Sequence, residues 1–425
     1  MTTKQLHNLF LKSNGVSTDT RSIKRNQIYF ALKGENFDGN TYADEALKKG
    51  AKRAVVDDKH QNKSDDKILV KNVLEALQSL ATYHREYLEV PIIAITGSNG
   101  KTTTKRLFHE VLSKKFNVQS TRGNLNNHIG VPLSLLELNH KTEIGIIEMG
   151  ANHQKEIEFL SNLTKPDFGY ITNFGKAHLE GFGGIEGVIK GKSELYDYLK
   201  KYNKLAFVNA DDNKQMQKLN NIKKYSFGEG KNADLNIYFK KADPTVELEF
   251  LGIEIKSKLI GNYNFRNIAA AIGVGNYFGV NAIDIKDAIQ NFEAKDNRSQ
   301  IKITAHNTLI SDAYNANPTS MEAALKSFEN LKSDFKVAIL GDMYELGDDK
   351  IKEHQSIAKL SQNLSFDKVI FCGKFFSEAL ENNNLNTFSS FRSLKKYLED
   401  NPIKNAHILI KASRGMALER LHEVL

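Results

Sequence analysis

The sequence contains little cysteine and no long apolar segment. These two features argue against a disulfide-stabilised protein and against a membrane-spanning one. It has 1 cysteine in 425 residues, Cys372, so no disulfide can form within the chain. No CxxC pair and no His-rich cluster indicates a zinc site. The N-terminus has no hydrophobic signal region and no apolar run approaches membrane-spanning length, so we expect a cytoplasmic protein without membrane insertion.

Blocks of lysine and arginine with interleaved aromatic residues are also absent. The net charge is nevertheless +8, with 59 basic and 51 acidic residues. This excess suits an acidic ligand, and solubility explains it equally well. Without a basic block the charge does not predict a nucleic-acid partner.

Residues 92–104 predict a phosphate-binding loop. Four apolar residues suggest a short buried strand, a turn with Gly97 and Gly100 follows, and a helix begins near Thr102. The glycines let backbone N–H groups face an anion, and the helix N-terminus adds a partial positive charge. Lys101 can reach the outer phosphates, and the Thr102 hydroxyl is placed to ligate Mg²⁺. Only two residues separate the glycines, where the common P-loop has four, and the alternative is a Gly-rich turn without a ligand.

The pattern of apolar runs along the chain predicts three α/β units. Residues 1–88 read as a small domain, and residues 89–298 alternate strand and helix as a parallel sheet requires. Residues 299–425 begin with a hairpin and continue as a second doubly wound unit. Within the central unit, residues 245–260 alternate apolar and polar, which predicts an antiparallel hairpin lying against the sheet.

Polar residues follow the apolar strands of the central unit, where ligands bind in such sheets. Glu148 ends the second strand, and a carboxylate there would face the phosphate loop and suit Mg²⁺. His178 lies in a polar loop after the third strand; alone it would more often be a surface residue, but beside Glu148 it becomes a site candidate. Lys192 lies on a predicted helix, where a lysine is normally solvated, and the residues alone do not single it out.

A second polar cluster precedes a helix in the third unit. Asp312, Tyr314, Asn315 and Asn317 crowd one turn, and Pro318 opens the next helix at a permitted first-turn position. The alternative to a binding site is an Asn-rich turn with a helix cap.

Together these motifs resemble the Mur ligase family, most closely its members that add D-alanyl-D-alanine. The resemblance covers almost the whole chain. It is carried by the loop at 96–102 with its short glycine spacing, by residues 121–132, and by the motifs at 148–150, 312–318 and 340–347. The related folylpolyglutamate synthases share the loop but lack the first domain.

The resemblance implies a fold and a reaction. The expected fold is a small N-terminal α/β UDP-binding domain (1–88), a central P-loop parallel-sheet ATPase domain (89–298) and a C-terminal Rossmann-like α/β ligase domain (299–425). The expected reaction joins D-alanyl-D-alanine to UDP-N-acetylmuramoyl-tripeptide through an acyl phosphate, with ATP and two Mg²⁺ ions, in peptidoglycan precursor synthesis by a monomer. Two alternatives stay open: a Mur ligase that adds diaminopimelate or lysine to the dipeptide precursor, and a nucleotide-binding switch without ligation.

The resemblance also implies residue roles. Expected catalytic residues are Lys101, Glu148, His178 and Lys192. Expected metal ligands are Thr102, Glu148, His178 and Lys192 in carbamylated form. Expected ATP-binding residues are Gly97, Ser98, Asn99, Gly100, Lys101, Thr102, Thr103, Asn264, Asn267, Arg298 and Asp312. Expected substrate-binding residues are Asp19, Thr20, Arg21, Asn124, Asn127, Tyr314, Asn315, Asn317, Ser413 and Arg414.

Overall fold

The structure, a computed structural model, describes residues 1–61, 64–230, 232–381 and 385–425. These residues form three α/β units, each built on its own sheet. The expected three-domain α/β architecture is therefore confirmed. Within the described ranges, no helix is both long and apolar enough to cross a membrane.

The first unit is a four-stranded parallel sheet in the order β1-β2-β5-β6, with a small β3-β4 ribbon. The Asn72 side chain accepts a hydrogen bond from the Glu75 N–H and so caps the long helix α3. The elements are α1 (Thr3–Phe10), β1 (Val16–Ser17), β2 (Ile28–Phe30), β3 (Lys33–Gly34), β4 (Phe37–Asp38), α2 (Ala43–Lys48), β5 (Arg53–Val56), β6 (Lys67–Leu69) and α3 (Val73–Leu88).

Helix α3 fixes the first unit to the second. The Arg85 guanidinium donates to Asp167 Oδ2 at 2.7 Å. His84 Nε2 contacts the Leu138 carbonyl at 2.9 Å, and His84 Nδ1 lies 3.0 Å from His7 Nε2. Since Leu138 O can only accept, His84 carries its proton on Nε2 and accepts from His7.

The central unit is a nine-stranded sheet in the order β15-β14-β13-β12-β11-β10-β7-β9-β8. Strand β7, which lies between β10 and β9, is buried along its whole length, as the apolar run predicted, and leads directly to the phosphate loop. The elements are β7 (Ile92–Thr96), α4 (Lys101–Leu112), β8 (Val118–Ser120), α5 (Gly130–Leu136), β9 (Ile144–Glu148), α6 (Glu156–Thr164), β10 (Phe168–Ile171), α7 (Leu179–Phe182), α8 (Ile185–Lys201), β11 (Leu205–Asn209), α9 (Asn213–Lys218), β12 (Lys223–Gly228), β13 (Leu235–Ala242), β14 (Thr245–Phe250), β15 (Ile253–Ile260), α10 (Tyr263–Tyr277) and α11 (Ala282–Asn291).

The prediction that residues 245–260 lie against the sheet is wrong. β14 and β15 do form an antiparallel hairpin, but β14 pairs with β13, which runs parallel to β12. The hairpin therefore extends the sheet at its edge. Alternation shows that one face of a strand is buried, as it is for Val246, Leu248 and Phe250, but it does not show which element covers that face.

The third unit is a six-stranded sheet in the order β16-β17-β21-β18-β19-β20. The predicted hairpin is confirmed as β16 and β17, and the remaining neighbours are parallel. Asp312 and Lys411 are register partners at the ends of β17 and β21. The elements are β16 (Gln300–Ile303), β17 (Thr308–Asp312), α12 (Pro318–Glu329), β18 (Lys336–Gly341), α13 (Lys350–Gln362), β19 (Lys368–Cys372), α14 (Lys374–Ala379), β20 (Asn386–Phe388), α15 (Phe391–Asp400) and β21 (His407–Lys411).

Candidate active site

A cavity of about 1540 Å³ lies between the central and third units. The phosphate loop and the carboxyl end of β9 line one side. The turn after β17 and the start of α12 line the other. The predicted site residues that line it are Ser98, Asn99, Gly100, Lys101, Thr102, Thr103, Asn124, Asn127, Glu148, His178, Asn264, Asn267, Arg298, Asp312, Tyr314 and Asn315.

The two glycines of the phosphate loop occupy places where a side chain does not fit. Gly97 has φ +137°, and a Cβ there would lie 2.0 Å from Thr172 Oγ1. Gly100 has φ +83°, and its Cβ would lie 2.7 Å from Asn267 Oδ1. Helix α4 starts at Lys101, so its first N–H groups have no acceptor within the helix. The loop thus brings backbone donors and the positive end of α4 to the cavity.

Lys101 is folded over the loop that precedes it. Its ammonium donates to Gly97 O at 2.7 Å and to Ser98 O at 3.3 Å. Burial lowers the pKa of Lys101, and the charge of Arg298 lowers it further, while Glu148 acts against both. An anion in the cavity would relieve the repulsion between Lys101 and Arg298.

The two oxygens of Glu148 have different partners. Oε1 accepts from Asn126 Nδ2 at 2.8 Å and from Thr102 Oγ1 at 3.3 Å. Oε2 pairs with Lys105 Nζ at 3.0 Å, and these two side chains are only 2% and 3% exposed. Burial raises the pKa of Glu148, but the charges of Lys105 and Lys101 lower it more, so it lies below its ordinary value. Glu148 is therefore a preformed anion beside the Thr102 hydroxyl.

Sequence reasoning missed Lys105, although a signal was present. Residues four apart on a helix share a face, so a lysine one turn after Lys101 points to the same side of α4. The sequence does not show that β9 brings Glu148 to this face of α4.

Lys192 is fully buried on α8, contrary to the solvated position that a helical lysine normally takes. Its Nζ donates to Ala151 O at 2.9 Å and lies 4.9 Å from the centroid of the Phe182 ring. Burial lowers its pKa well below the ordinary value, and the charge of Lys101 adds to this. Lys192 is therefore a buried amine with a lowered pKa, and it is not among the residues that line the cavity.

His178 meets the third unit at the edge of the cavity. It has φ +54°, and its Nδ1 lies against a carboxylate oxygen of Glu345, in the motif 340–347. The hydrogen bond with His178 lowers the pKa of Glu345. Among the described residues no group of three or more His, Cys, Asp and Glu is arranged to hold a metal ion. The metal role of His178 stays a prediction.

The turn after β17 is organised by a buried lysine, Lys411, to which the sequence analysis gave no role. Lys411 Nζ donates to Asp312 Oδ2 at 2.6 Å and to Asn315 O at 3.2 Å. The other carboxylate oxygen of Asp312 accepts from the Ser299 N–H at 3.0 Å. Asp312 is thus held between the third unit and the segment that joins it to the central unit.

Asn317 links the third unit to the phosphate loop. Its Oδ1 accepts from the Ser320 N–H and caps α12, as the Asn-rich turn suggested. Its Nδ2 donates to Asn99 Oδ1 at 2.7 Å, and Asn99 Nδ2 returns a bond at 3.3 Å. The two units therefore touch through a reciprocal amide pair at the loop.

Some predicted site residues do not line the cavity. Asp19 and Arg21 bind each other at 2.7 Å on the surface of the first unit, where the bond to Arg21 lowers the pKa of Asp19 to about 2. Ser413 is buried and accepts from the Tyr344 N–H, while Arg414 pairs with Glu419. The predicted residues outside the cavity wall are Asp19, Thr20, Arg21, Gly97, Lys192, Asn317, Ser413 and Arg414.

On the adenine side of the expected nucleotide site, two asparagines of α10 form a buried chain to the phosphate helix. Asn264 Nδ2 donates to Ile260 O at 2.8 Å, and Asn267 Nδ2 donates to Asn264 Oδ1 at 2.9 Å. Asn267 Oδ1 accepts from Thr104 Oγ1 at 3.2 Å. Helix α10 is thereby fixed against α4.

Comparison with known proteins identifies the class. Three family models match successive parts of the chain: the Mur ligase family catalytic domain at residues 12–85, the Mur ligase middle domain at 95–275, and the Mur ligase glutamate ligase domain at 297–414. The chain belongs to the Mur ligase family.

Individual relatives are similar over nearly their whole length. The UDP-N-acetylmuramoyl-tripeptide–D-alanyl-D-alanine ligase of Bacillus subtilis is 35% identical over 422 residues, which are 96% of this chain and 92% of that protein. A crystal structure of MurF from Acinetobacter baumannii has a TM-score of 0.88 at 29% identity, covering 99% and 98% of the two chains. The MurF ligase from Thermotoga maritima in complex with ADP has a TM-score of 0.85 at 26% identity, covering 98% and 97%.

Proposed function

We propose that this chain is an ATP-dependent ligase that adds D-alanyl-D-alanine to UDP-N-acetylmuramoyl-tripeptide in peptidoglycan precursor synthesis. One observation carries the proposal. The phosphate loop and Glu148 form one wall of a cavity, and the turn at 312–315 of the third unit forms the other. Such a cavity suits the transfer of a phosphoryl group to a substrate held between two domains. The near full-length similarity to ligases of that name supports the choice of substrates.

ATP would lie along the loop and α10. Residues 97–103 hold the phosphates, and Lys101 exchanges the carbonyls of Gly97 and Ser98 for phosphate oxygens. Asn264 and Asn267 face the adenine side, while Arg298 and Asp312 face the phosphates and ribose. The ADP complex of a relative supports a nucleotide here.

A Mg²⁺ ion fits Thr102 and Glu148. Their hydroxyl and carboxylate oxygens lie 3.3 Å apart at the cavity wall, and Mg²⁺ prefers such hard oxygen donors. When bound, the ion would offset the negative charge of the phosphates.

A second ion would require His178 and a carbamylated Lys192. The neutral amine is the form that reacts with CO₂: an N–C bond forms and one proton leaves, which converts the side chain into an anionic oxygen ligand. The buried Lys192 with its lowered pKa fits this chemistry.

The reaction must first activate a carboxylate. The terminal carboxylate of the UDP substrate attacks the γ-phosphorus, so that an O–P bond forms and ADP leaves. The amine of D-alanyl-D-alanine then attacks the acyl carbon, phosphate leaves and the nitrogen loses a proton. Both steps gather anions, and the positive charges of Lys101 and Arg298 stabilise them in a site of low dielectric. Seating of the third unit on the loop excludes water from the acyl phosphate.

The division of labour follows the three units. We propose that residues 1–88 hold the UDP end with Asp19, Thr20 and Arg21, that residues 89–298 hold ATP, and that residues 299–425 bring the dipeptide. The remaining substrate contacts would come from Asn124, Asn127, Asn315, Asn317, Ser413 and Arg414. We further propose a monomer that works in the cytoplasm.

Phosphate release from ATP tests this function. Turnover should require UDP-N-acetylmuramoyl-tripeptide and D-alanyl-D-alanine together. Turnover with a free diaminopimelate or lysine on the dipeptide precursor would assign the alternative ligase. ATP turnover that is indifferent to both substrates would point to a nucleotide switch.

The carbamate has a separate test. Lys192→Ala should abolish ligation, and short-chain carboxylic acids should restore part of it by supplying the missing carboxylate. Lys192→Arg, which retains a long basic side chain but cannot form the carbamate, is the matched variant and should not respond to the acids.

A further inference from the structure

The guanidinium of Arg298 rests on an aromatic ring of the third unit. Its Cζ lies 3.5 Å from the centroid of the Tyr314 ring, well within the distance of about 6 Å at which a cation is attracted by a ring face. Within the described part of the chain, Arg298 Nε is buried without a hydrogen-bond partner. The ring therefore supplies the contact that fixes the plane of the guanidinium.

The backbone around Arg298 is held in an unfavourable conformation. Asp296, Asn297 and Ser299 have φ of +60°, +53° and +55°, a region that serine rarely adopts and that aspartate and asparagine tolerate better. Such strain persists only where the surroundings impose it. Arg298 is thus presented by a strained turn at the junction of the central and third units.

The end of β17 and the loop that follows it impose both features. The Tyr314 N–H donates to Asn297 O at 3.2 Å, and the Ser299 N–H donates to Asp312 Oδ1 at 3.0 Å. Ser311 Oγ donates to Asn297 Oδ1 at 3.0 Å. This segment therefore fixes the backbone of the turn through hydrogen bonds, and it fixes the Arg298 side chain through the Tyr314 ring.

Arg298 and Lys101 converge on one place. Both line the cavity, and the charge of Arg298 lowers the pKa of Lys101. Two cations that repel each other across a cavity are matched to an anion between them, as the phosphates of ATP would be.

We propose that Tyr314 is a positioning residue whose ring, and not its hydroxyl, holds the Arg298 guanidinium toward the nucleotide phosphates. This rests on the proposed function and replaces the substrate-binding role expected for Tyr314 from the sequence. Because Tyr314 belongs to the third unit, Arg298 is presented correctly only when that unit is seated against the central one.

Calorimetric titration of the full-length protein with ATP and Mg²⁺ tests the role. Tyr314→Phe keeps the ring and should bind within about twofold of the wild type, whereas Tyr314→Leu should bind about three- to thirtyfold more weakly, the range expected for a lost cation–π contact. Tyr314→Met, which fills a similar volume without a ring face, should resemble the leucine variant. In an Arg298→Gln background, Tyr314→Leu should change affinity by less than about twofold, because the nearer of the two guanidinium groups on the ring is already gone.

Three results would overturn the role. If Tyr314→Phe bound ATP as weakly as Tyr314→Leu, the loss of affinity would be due to the hydroxyl. Wild-type affinity in both the leucine and methionine variants would show that the ring is not needed. An equal loss in the Arg298→Gln background would show that Tyr314 acts independently of Arg298. A wild-type protein that binds no ATP would instead overturn the proposed function itself.

Discussion

Replacing Lys105 by methionine should destabilise the core of the phosphate-binding region. Methionine fills most of the space of the lysine stem, so the change removes the charge without leaving a large cavity. Glu148 Oε2 would lose its ion pair at 3.0 Å inside a site where both side chains are at most 3% exposed. Lys105 also donates to Gly123 O at 2.9 Å, and this bond is lost as well.

Lys105→Met should lower the free energy of unfolding by about 3–5 kcal/mol, the range for removing one partner of a buried ion pair. Glu148→Gln leaves Lys105 unpaired and should also destabilise. The loss of unfolding free energy in the double variant should be smaller than the sum of the two single losses by about 1–3 kcal/mol. The reason is that the second change removes a group that is already without its partner.

Native-state hydrogen exchange at the amides of α4 and β9 is the suitable measurement. A chain of three units need not unfold in one transition, and these amides report on the elements that carry the pair. The matched control is Lys114→Met, just after α4, whose pair with Asp287 is more exposed, at 35% and 51%, and should cost less than about 1 kcal/mol. A loss of stability in Lys105→Met no larger than that of the control, or strict additivity in the double variant, would show that the buried Lys105–Glu148 pair does not stabilise this region.

Three further changes test other parts of the structure. Burial, together with repulsion from a protonated His84, lowers the pKa of His7 from 6.5 to about 4. The unfolded chain therefore binds more protons between these two pH values, and the free energy of unfolding should fall as the pH drops through them. His7→Phe should reduce this slope in urea titrations at several pH values. Gly97→Ala places a Cβ 2.0 Å from Thr172 Oγ1 and should abolish ATP binding in calorimetry, and wild-type affinity in this variant would contradict the assigned phosphate loop. Asn317→Asp keeps the cap of α12 but loses the donor to the phosphate loop, so X-ray scattering should show a larger radius of gyration than the wild type, whereas an unchanged radius would show that the amide pair does not hold the two units together.

Local signals predicted much of the site. An apolar strand, a glycine turn and a helix start are neighbours in the chain, so the phosphate loop could be read directly, and α4 begins one residue from the expected position. Pro318 is also a local signal: its ring fits the first helical turn, and it marks the start of α12.

What the sequence could not provide depends on contacts between distant segments. Lys192 carries no local mark of burial, because its environment is made by Ala151 and Phe182. The pairing of His178 with Glu345 depends on how the third unit sits on the central one. Periodicity describes one face of one element, and it leaves open what covers that face.

The mass of the reaction product shows which amide bond the protein forms. The protein would be incubated with ATP, Mg²⁺, UDP-N-acetylmuramoyl-tripeptide and D-alanyl-D-alanine, and the uridine-containing species weighed. The proposed ligation predicts a product heavier by one D-alanyl-D-alanine less one water, formed together with one ADP per amide bond. Unchanged precursor alongside accumulated ADP, or a product formed instead by adding a single free amino acid to the dipeptide precursor, would contradict it.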